Sequence, residues 1–137
     1  MNKERLLKLA EHLLHGKLGH KEFDFNRYNT GEYYSNLLNG ICKTSGCAIG
    51  ECPIVFPDKW EFDSYSGLPK LINHSIYGYP LVSRRSATKF FEISNEEYIN
   101  LFTPYNKYLN TGVLSADATK EEVALNIINF VNKTTII

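Results

Sequence analysis

The sequence contains no long apolar run, no excess of either charge and no even number of cysteines. Its longest apolar stretches are only a few residues, too short to span a bilayer. Lysine plus arginine and aspartate plus glutamate each number 15, and both signs are spread evenly along the chain. This balance argues against a wholly cationic groove of the kind that binds nucleic acid nonspecifically. We therefore expect no membrane partner and no nucleic-acid partner.

The three cysteines cannot all pair in disulfides because their number is odd. The first segment, residues 1–16, alternates charged residues with leucine and lacks the apolar block of a signal peptide. Both features are typical of a cytoplasmic protein, in which cysteines stay reduced. With 137 residues and 43% hydrophobic content, the chain predicts a single domain over residues 1–137.

An N-terminal helix is predicted between Glu4 and His15. Its apolar residues recur at a spacing that places them on one helix face. These residues are Leu6, Leu7, Ala10, Leu13 and Leu14. Gly16 follows at the place where a helix end commonly needs a residue with positive φ.

Two capping boxes, in which Ser or Thr is followed three residues later by Glu, predict the starts of two further helices. The first, Ser94–Glu97, begins a helix that ends before Pro104, and the second, Thr119–Glu122, begins the last helix. Another helical face precedes the first box. The apolar residues of these three helices are Ala87, Phe90, Phe91, Leu101, Phe102, Val123, Ile127, Phe130 and Val131.

The segment from Pro53 to Pro80 contains four prolines, two glycines and three tyrosines and keeps neither a helical nor a strand period. Such a composition predicts a loop-rich region that contains a small β-hairpin. The expected fold class is therefore mainly α in a single compact domain, or α+β through the hairpin in the 60–82 region.

Residues 42–52 form an unusual motif in which cysteine occurs at every fifth position. Thr44 or Ser45 can cap the N–H groups of a short helix that begins at once and ends before Pro53. Cys47 would then lie in the first turn of that helix. The motif suits three interpretations, namely a metal site, a nucleophile and a packed core.

In the first two interpretations the thiols bind a metal or react with a substrate. Zinc sites usually pair ligands two to four residues apart, whereas these cysteines lie five apart, so that even with His20 or His74 as a further ligand we expect no metal and no cofactor. A helix N-terminus favours the thiolate of Cys47, and His74 is the best candidate for its base. A cysteine-dependent hydrolase or transferase that uses Cys47 and His74 is therefore the alternative function.

The third interpretation makes the motif part of the core. Free cysteine behaves as a small hydrophobic residue and is among the most buried residue types. Cys47, Ala48 and Ile49 would form the packed face of a short central helix, and Gly46 and Gly50 would permit close approach of a neighbour. On this interpretation the motif is not an active site.

An anion site is predicted from the same helix start. Thr44, Ser45 and Gly46 would present free N–H groups and hydroxyls, and Arg84 and Arg85 supply guanidinium groups suited to phosphate. Aromatic residues that can stack on a base or contact a partner lie between them. These are Trp60, Tyr65, Tyr77 and Tyr79. We therefore predict a non-enzymatic binding protein for an anionic, nucleotide-like small molecule or for a protein partner.

Residues 42–50 read Cys-x-Thr-x-x-Cys-Ala-x-Gly, and the helical features at 87–91, 93–94, 101–102 and 119–122 follow in that order. From Leu37 onward this order resembles a family of small bacterial and phage proteins without an assigned activity. The resemblance implies a bacterial or phage-encoded cytoplasmic protein. Glu51 stands where that family's pattern often has a basic residue or histidine, which argues against a metal or acid–base role at this position.

Overall fold

A computed structural model of the chain describes residues 1–18, 22–23, 45–46, 48–64, 68–76, 79–82, 84–105, 107–110, 112–115 and 117–135. Its helices are α1 (Lys3–His15), α2 (Cys52–Val55), α3 (Arg84–Phe91), α4 (Asn95–Phe102) and α5 (Lys120–Thr135), with a 3₁₀ turn at Ile49–Glu51 before α2. Its strands are β1 (Glu22–Phe23), β2 (Ser45–Gly46), β3 (Trp60–Phe62), β4 (Pro69–Ile76) and β5 (Tyr79–Val82). The mainly α fold with a small β-hairpin is confirmed.

Helix α1 forms as its apolar spacing predicts. The side chain of Asn2 caps it by accepting a hydrogen bond from the backbone N–H of Arg5 at 3.1 Å. Its buried face consists of Leu6, Leu9, Ala10 and Leu13. The prediction of a positive φ at Gly16 is wrong, because this residue has φ −84° and ψ 168°. Glycine at position 16 therefore needs a different explanation.

The motif at 42–52 does not form a helix from Thr44 or Ser45. Ser45 and Gly46 form β2, which pairs in parallel with β1, and helical structure begins only at Ile49. Pro53 does not end this helical segment either. It stands in the first turn of α2, where its missing N–H would have no partner within the helix.

Strands β3, β4 and β5 form an antiparallel sheet in chain order. Trp60 is opposite Leu71 in one pair, and Ile76 is opposite Tyr79 in the other. The β4–β5 register shifts between Lys70 and Ser75, and Asn73 within that interval has a φ of 59°. The predicted hairpin is thus present, and β3 extends it to three strands.

Both capping boxes are confirmed. The Ser94 hydroxyl accepts from the Glu97 N–H at 3.1 Å, and the Ser94 N–H donates to the Glu97 carboxylate at 2.8 Å. The second box repeats the two bonds between Thr119 and Glu122, at 3.2 Å each. These bonds satisfy N–H groups that the first turns of α4 and α5 leave without helical partners.

One hydrophobic core joins the elements. Helix α1 packs against α5, while α3 packs against α4, β4 and β5. The most completely buried large side chains include Trp60, Tyr98 and Phe91. Ala48 and Ile49 are also buried, so the core interpretation of the cysteine motif is confirmed for these two residues, whereas Cys47 lies outside the described part. Cys52 is buried as well. No helix among the described residues is long and apolar enough to span a membrane.

Candidate functional site

The exposed face of α3 is cationic. Helix α3 turns Ala87, Phe90 and Phe91 toward the core and leaves Arg84 and Arg85 exposed in its first turn. Lys89, four residues after Arg85, is also exposed. Residues four apart lie on the same side of a helix, so Lys89 extends the charge of the first turn along the surface. We call Arg84, Arg85 and Lys89 the α3 cationic face.

The three cations of this face form no ion pair within the described parts of the chain. Other basic side chains of the described parts have partners. Arg5 donates to the carbonyl of Phe90 at 2.8 Å, and Lys70 pairs with Glu61 at 3.0 Å. Lys120 likewise donates to the carbonyl of Leu13 at 3.0 Å. The charges of the α3 cationic face are therefore not neutralised by such neighbours.

The sequence around α3 also lacks acidic residues. No aspartate or glutamate occurs from residue 64 to residue 91, although the whole chain has equal numbers of both charges. The nearest acids along the chain are Asp63, which is buried, and Glu92, which accepts from the Asn2 side chain at 3.3 Å. The chain is neutral overall, whereas the charged side chains between residues 64 and 91 are all lysine or arginine, and such a local excess of positive charge attracts anions.

The start of α3 is fixed to the sheet. The buried Ser86 hydroxyl accepts a hydrogen bond from the backbone N–H of Leu71 in β4 at 2.9 Å. The first N–H groups of a helix have no helical partners, and here Arg84 and Arg85 belong to that same first turn. A rigid helix start with adjacent arginines can bind a phosphate or carboxylate group through several charge-assisted hydrogen bonds.

A second feature is a buried pair of titratable groups, His12 in α1 and Glu51 in the 3₁₀ turn. Nε2 of His12 lies 2.8 Å from Oε1 of Glu51. The Glu51 side chain is 0% exposed and the His12 side chain is 14% exposed. Because a buried carboxylate is costly unless it is paired, this contact ties the end of α1 to the segment that leads into α2.

The His12 ring explains why residue 16 is glycine. A Cβ built on Gly16 would lie 2.5 Å from Nδ1 of His12 and 2.8 Å from its carbonyl oxygen. Any larger residue would displace the ring or the helix end. The ring thus lies between Gly16 and Glu51, an arrangement that holds it in place and leaves little room for a reactant at Nδ1.

The third feature is the loop between α4 and α5, which we call the 104–115 loop. Four large apolar side chains in it are between 50% and 86% exposed. They are Tyr105, Tyr108, Leu109 and Val113. Large exposed apolar side chains that occur close together commonly mark contact surfaces for other molecules.

The structure does not assemble the predicted anion site as expected. Ser45 and Gly46 lie in a strand, so they do not form the helix start on which that prediction depended. Arg84 and Arg85 lie at the start of another helix, α3. Thr44 and Tyr77 lie outside the described residues, and Tyr79 belongs to β5, with its side chain outside the described part.

The residues of the predicted catalytic alternative fall largely outside the described part. Cys47 is not among the described residues, and the backbone of His74 belongs to β4 while its side chain is not described. The helix in whose first turn Cys47 was expected begins after it, at Ile49. Among the residues that the structure describes, no group of three or more His, Cys, Asp or Glu side chains is arranged to hold a metal.

Two predictions about aromatic and acidic residues change. Trp60 is only 1% exposed, so the expectation that it stacks on a ligand at the surface is wrong. Sequence reasoning also missed the role of Glu51, because its partner His12 is 39 positions away. The one signal that the sequence offered for this role was a single glutamate between Ile49-Gly50 and Cys52.

Comparison of the chain with protein-family models, with curated proteins and with solved structures finds no match in any of the three. The resemblance of residues 42–50 to a bacterial and phage family therefore stays a prediction. A function has to be inferred from the geometry and charges of the chain itself.

Proposed function

We propose that this chain is a non-enzymatic cytoplasmic binding protein that takes a small anionic ligand on the α3 cationic face. The observation that carries the proposal is that Arg84, Arg85 and Lys89 are exposed on one rigid helix, without ion pairs among the described residues. Unneutralised cations that occur together attract an anion more strongly than the same charges dispersed over a surface.

The chemistry of the face favours phosphate over other anions. Each guanidinium offers a planar fork of donors that matches two phosphate oxygens, and the N–H groups of the first turn of α3 add further donors. A nucleotide-like ligand also has an aromatic base, for which Tyr77 and Tyr79, seven and five positions before Arg84 in the sequence, are suitable contacts. Sequestration of such a ligand is the activity that this chemistry supports.

Binding fits the α3 cationic face better than catalysis does. Its side chains are two arginines and a lysine, and the partly buried Thr88 beside them donates its hydroxyl to the carbonyl of Arg85 at 3.2 Å. Arginine keeps its proton, and an engaged threonine hydroxyl is a weak nucleophile without an adjacent base. The arginines and Thr88 therefore hold and orient an anion but do not transfer a proton or form a covalent intermediate.

Isothermal titration calorimetry at low salt, with inorganic phosphate, pyrophosphate and nucleoside mono-, di- and triphosphates, tests this proposal. We expect affinity to rise with phosphate number and to fall with added salt. Replacing Arg84 or Arg85 with serine should weaken binding about tenfold or more each, since a hydrogen bond to a charged group contributes about 1.5–3 kcal/mol. Lysine in place of either arginine should retain part of the affinity.

The matched control is Lys133→Ser, which removes an exposed cation from α5 and changes the net charge equally. It should leave the dissociation constant within about twofold of the unmodified chain because it lies in the last turn of another helix. No heat and no thermal stabilisation with any phosphate compound would refute the proposal. Equal weakening by Lys133→Ser and Arg84→Ser would also contradict it, since only net charge would then matter.

A further inference from the structure

We infer that the anion site continues from the α3 cationic face onto α1, where Arg5 and Lys8 bind the outer part of a chain of linked phosphates. The inference rests on the proposed function and names the class of ligand that the site takes. Its basis is the position of these two cations of α1, which we call the α1 cation pair, over aromatic rings near the end of α3.

The guanidinium of Arg5 is held at the last turn of α3. Its Nη1 donates to the carbonyl of Phe90 at 2.8 Å, and its Cζ lies 4.2 Å from the centroid of the Phe90 ring. A guanidinium carries five N–H donors, and this bond uses one of them. The guanidinium forms no other hydrogen bond and no ion pair among the residues that the structure describes. Because Arg5 is only partly buried, its remaining donors can reach an anion at the surface.

Lys8 places a second positive charge beside that of Arg5. Its Nζ lies 5.4 Å from the centroid of Phe56, and the Phe56 ring contacts Phe90 at 4.8 Å between centroids. The two cations are three residues apart on α1 and thus lie over neighbouring rings of one aromatic cluster. Cations that are already held over rings lose less conformational freedom on binding than unrestrained side chains do.

The α1 cation pair adjoins the α3 cationic face. Lys89 immediately precedes Phe90, so the Phe90 carbonyl oxygen that binds Arg5 is within about 6 Å of the Lys89 Cα atom. The first turn of α3, with Arg84 and Arg85, begins roughly 9 Å from Phe90 along the helix axis. The cations therefore extend from the start of α3 to its end and onto α1.

The acidic residues nearest to Lys8 along α1 lie away from Arg5. Glu4 and Glu11 are four residues before and three residues after Lys8, which places both on the flank of Lys8 opposite to Arg5. Neither glutamate forms an ion pair with Lys8 within the described parts of the chain. The Arg5 side of Lys8 therefore keeps its positive charge.

The extent of these cations selects the ligand. A single phosphate group is too small to contact the first turn of α3 and the α1 cation pair together, because they are separated by roughly 9 Å along the axis of α3. A chain of linked phosphates carries negative charges along one line, and its successive oxygens can accept charge-assisted hydrogen bonds from successive cations. Inorganic triphosphate and nucleoside triphosphates share this chemistry.

NMR titration of the isotope-labelled chain at low salt tests the inference, with inorganic phosphate and inorganic triphosphate as probes. Both should shift the backbone amide signals of the first turn of α3, whereas only triphosphate should also shift those of α1 around Arg5 and Lys8. Adenosine triphosphate distinguishes the two sources of the phosphate chain. It should give the same α1 response, since the chain and not the base contacts the pair.

Substitutions on α1 separate the two parts of the site. Lys8→Ser should weaken triphosphate binding about three- to fivefold, the range of an exposed ion pair, and Arg5→Gln about tenfold, as for a charge-assisted hydrogen bond. Both should leave the dissociation constant for inorganic phosphate within about twofold, whereas Arg84→Ser should weaken both compounds. Circular dichroism first checks each variant for unchanged helix content, and Lys8→Ser decides the test if Arg5→Gln unfolds.

The matched control is Lys3→Ser, which removes an equal charge from the same helix. Lys3 is exposed and lies on the flank of α1 opposite to Arg5, so its loss should leave both dissociation constants within about twofold. Equal weakening of triphosphate binding by Lys3→Ser and Lys8→Ser would show that only the charge of the chain matters, and it would reject the site on α1.

The remaining outcomes separate this inference from the anion proposal. No response to either compound refutes both. Shifts at α3 without shifts at α1 overturn the inference alone and leave the anion site on α3 in place. Unchanged triphosphate affinity of Lys8→Ser has the same consequence.

Discussion

The His12–Glu51 pair is the contact with the largest expected effect of a single residue. Removing one partner of a buried pair leaves the other without its counterpart in a medium of low dielectric constant. His12 retains some contact with solvent, whereas Glu51 has none. Loss of the histidine is therefore expected to lower the free energy of unfolding more than loss of any exposed charge on α1.

His12→Ala should lower the free energy of unfolding by about 3 kcal/mol, because it leaves Glu51 buried without its imidazole partner. The matched control is His15→Ala on the same helix, whose ring is 70% exposed and 4.0 Å from Glu11. That substitution should change the free energy of unfolding by no more than about 0.5 kcal/mol. Urea unfolding followed by circular dichroism measures both variants, and equal costs would contradict the assigned role of the buried pair.

Position 16 shows what sequence reasoning can and cannot supply for one residue. The sequence placed a glycine after α1, which was enough to predict the end of the helix. It did not contain the reason, because the constraint comes from the His12 ring and not from φ. The buried pair was likewise beyond the sequence, since neither a helical nor a strand period relates residues 39 positions apart.

Helix termini account for most of what the sequence predicted about the elements. The capping boxes at Ser94 and Thr119 are local patterns, and the same residues form the hydrogen bonds in the structure. The prediction at Thr44 and Ser45 was wrong because Ser and Thr also occur in extended segments, and the partners of Ser45 and Gly46 in β1 lie 23 positions earlier. A long-range pairing overrode a local helix signal there.

The first turn of α5 also makes stability depend on pH. The pKa of Glu121 lies below its usual value of 4.5, chiefly because its carboxylate accepts a hydrogen bond from its own backbone N–H. Desolvation opposes this shift, and the side chain of Lys120, 3.3 Å away, adds to it. A carboxyl group with a depressed pKa in the folded state stabilises the fold when ionised.

Glu121→Gln should therefore lower the thermal midpoint slightly at neutral pH, because the neutral amide interacts less with the helix start. The difference from the original chain should shrink as the pH falls below 4.5 and the carboxyl group of Glu121 becomes protonated. Thermal melts at closely spaced pH values measure this effect. Asp58→Asn, in an exposed turn, serves as the control, and a difference that persists in acid would disprove the explanation.

At the scale of the molecule, aromatic contacts connect the elements that the sequence predicted separately. Phe56 after α2 contacts Phe90 of α3 at 4.8 Å between ring centroids, and Phe91 stacks on Phe102 of α4 at 5.8 Å. Trp60 of β3 contacts Phe90 edge to face at 5.6 Å. Ring pairs in these orientations stabilise the fold by more than the apolar area that they bury would predict.

The fold class was predictable because the apolar residues of three helices follow a clear period. The packing of α1 against α5 was not predictable in this way. The candidate site was predictable only in part: Arg84 and Arg85 are exposed as two adjacent cations, but their helix start differs from the one expected. The single domain over residues 1–137 stays a prediction. It can be tested by measuring whether this shared core unfolds cooperatively.

Trp60 gives that test a built-in optical signal. It is the one tryptophan of the sequence, and its indole Nε1 has no hydrogen-bond partner within the described structure. An indole in such a buried, apolar setting emits at short wavelength, and its emission moves to longer wavelength when solvent reaches it. Because the ring contacts Phe90 and Phe91, its fluorescence should change at the same denaturant concentration as the helical signal. Two separate midpoints would show that the core melts in parts.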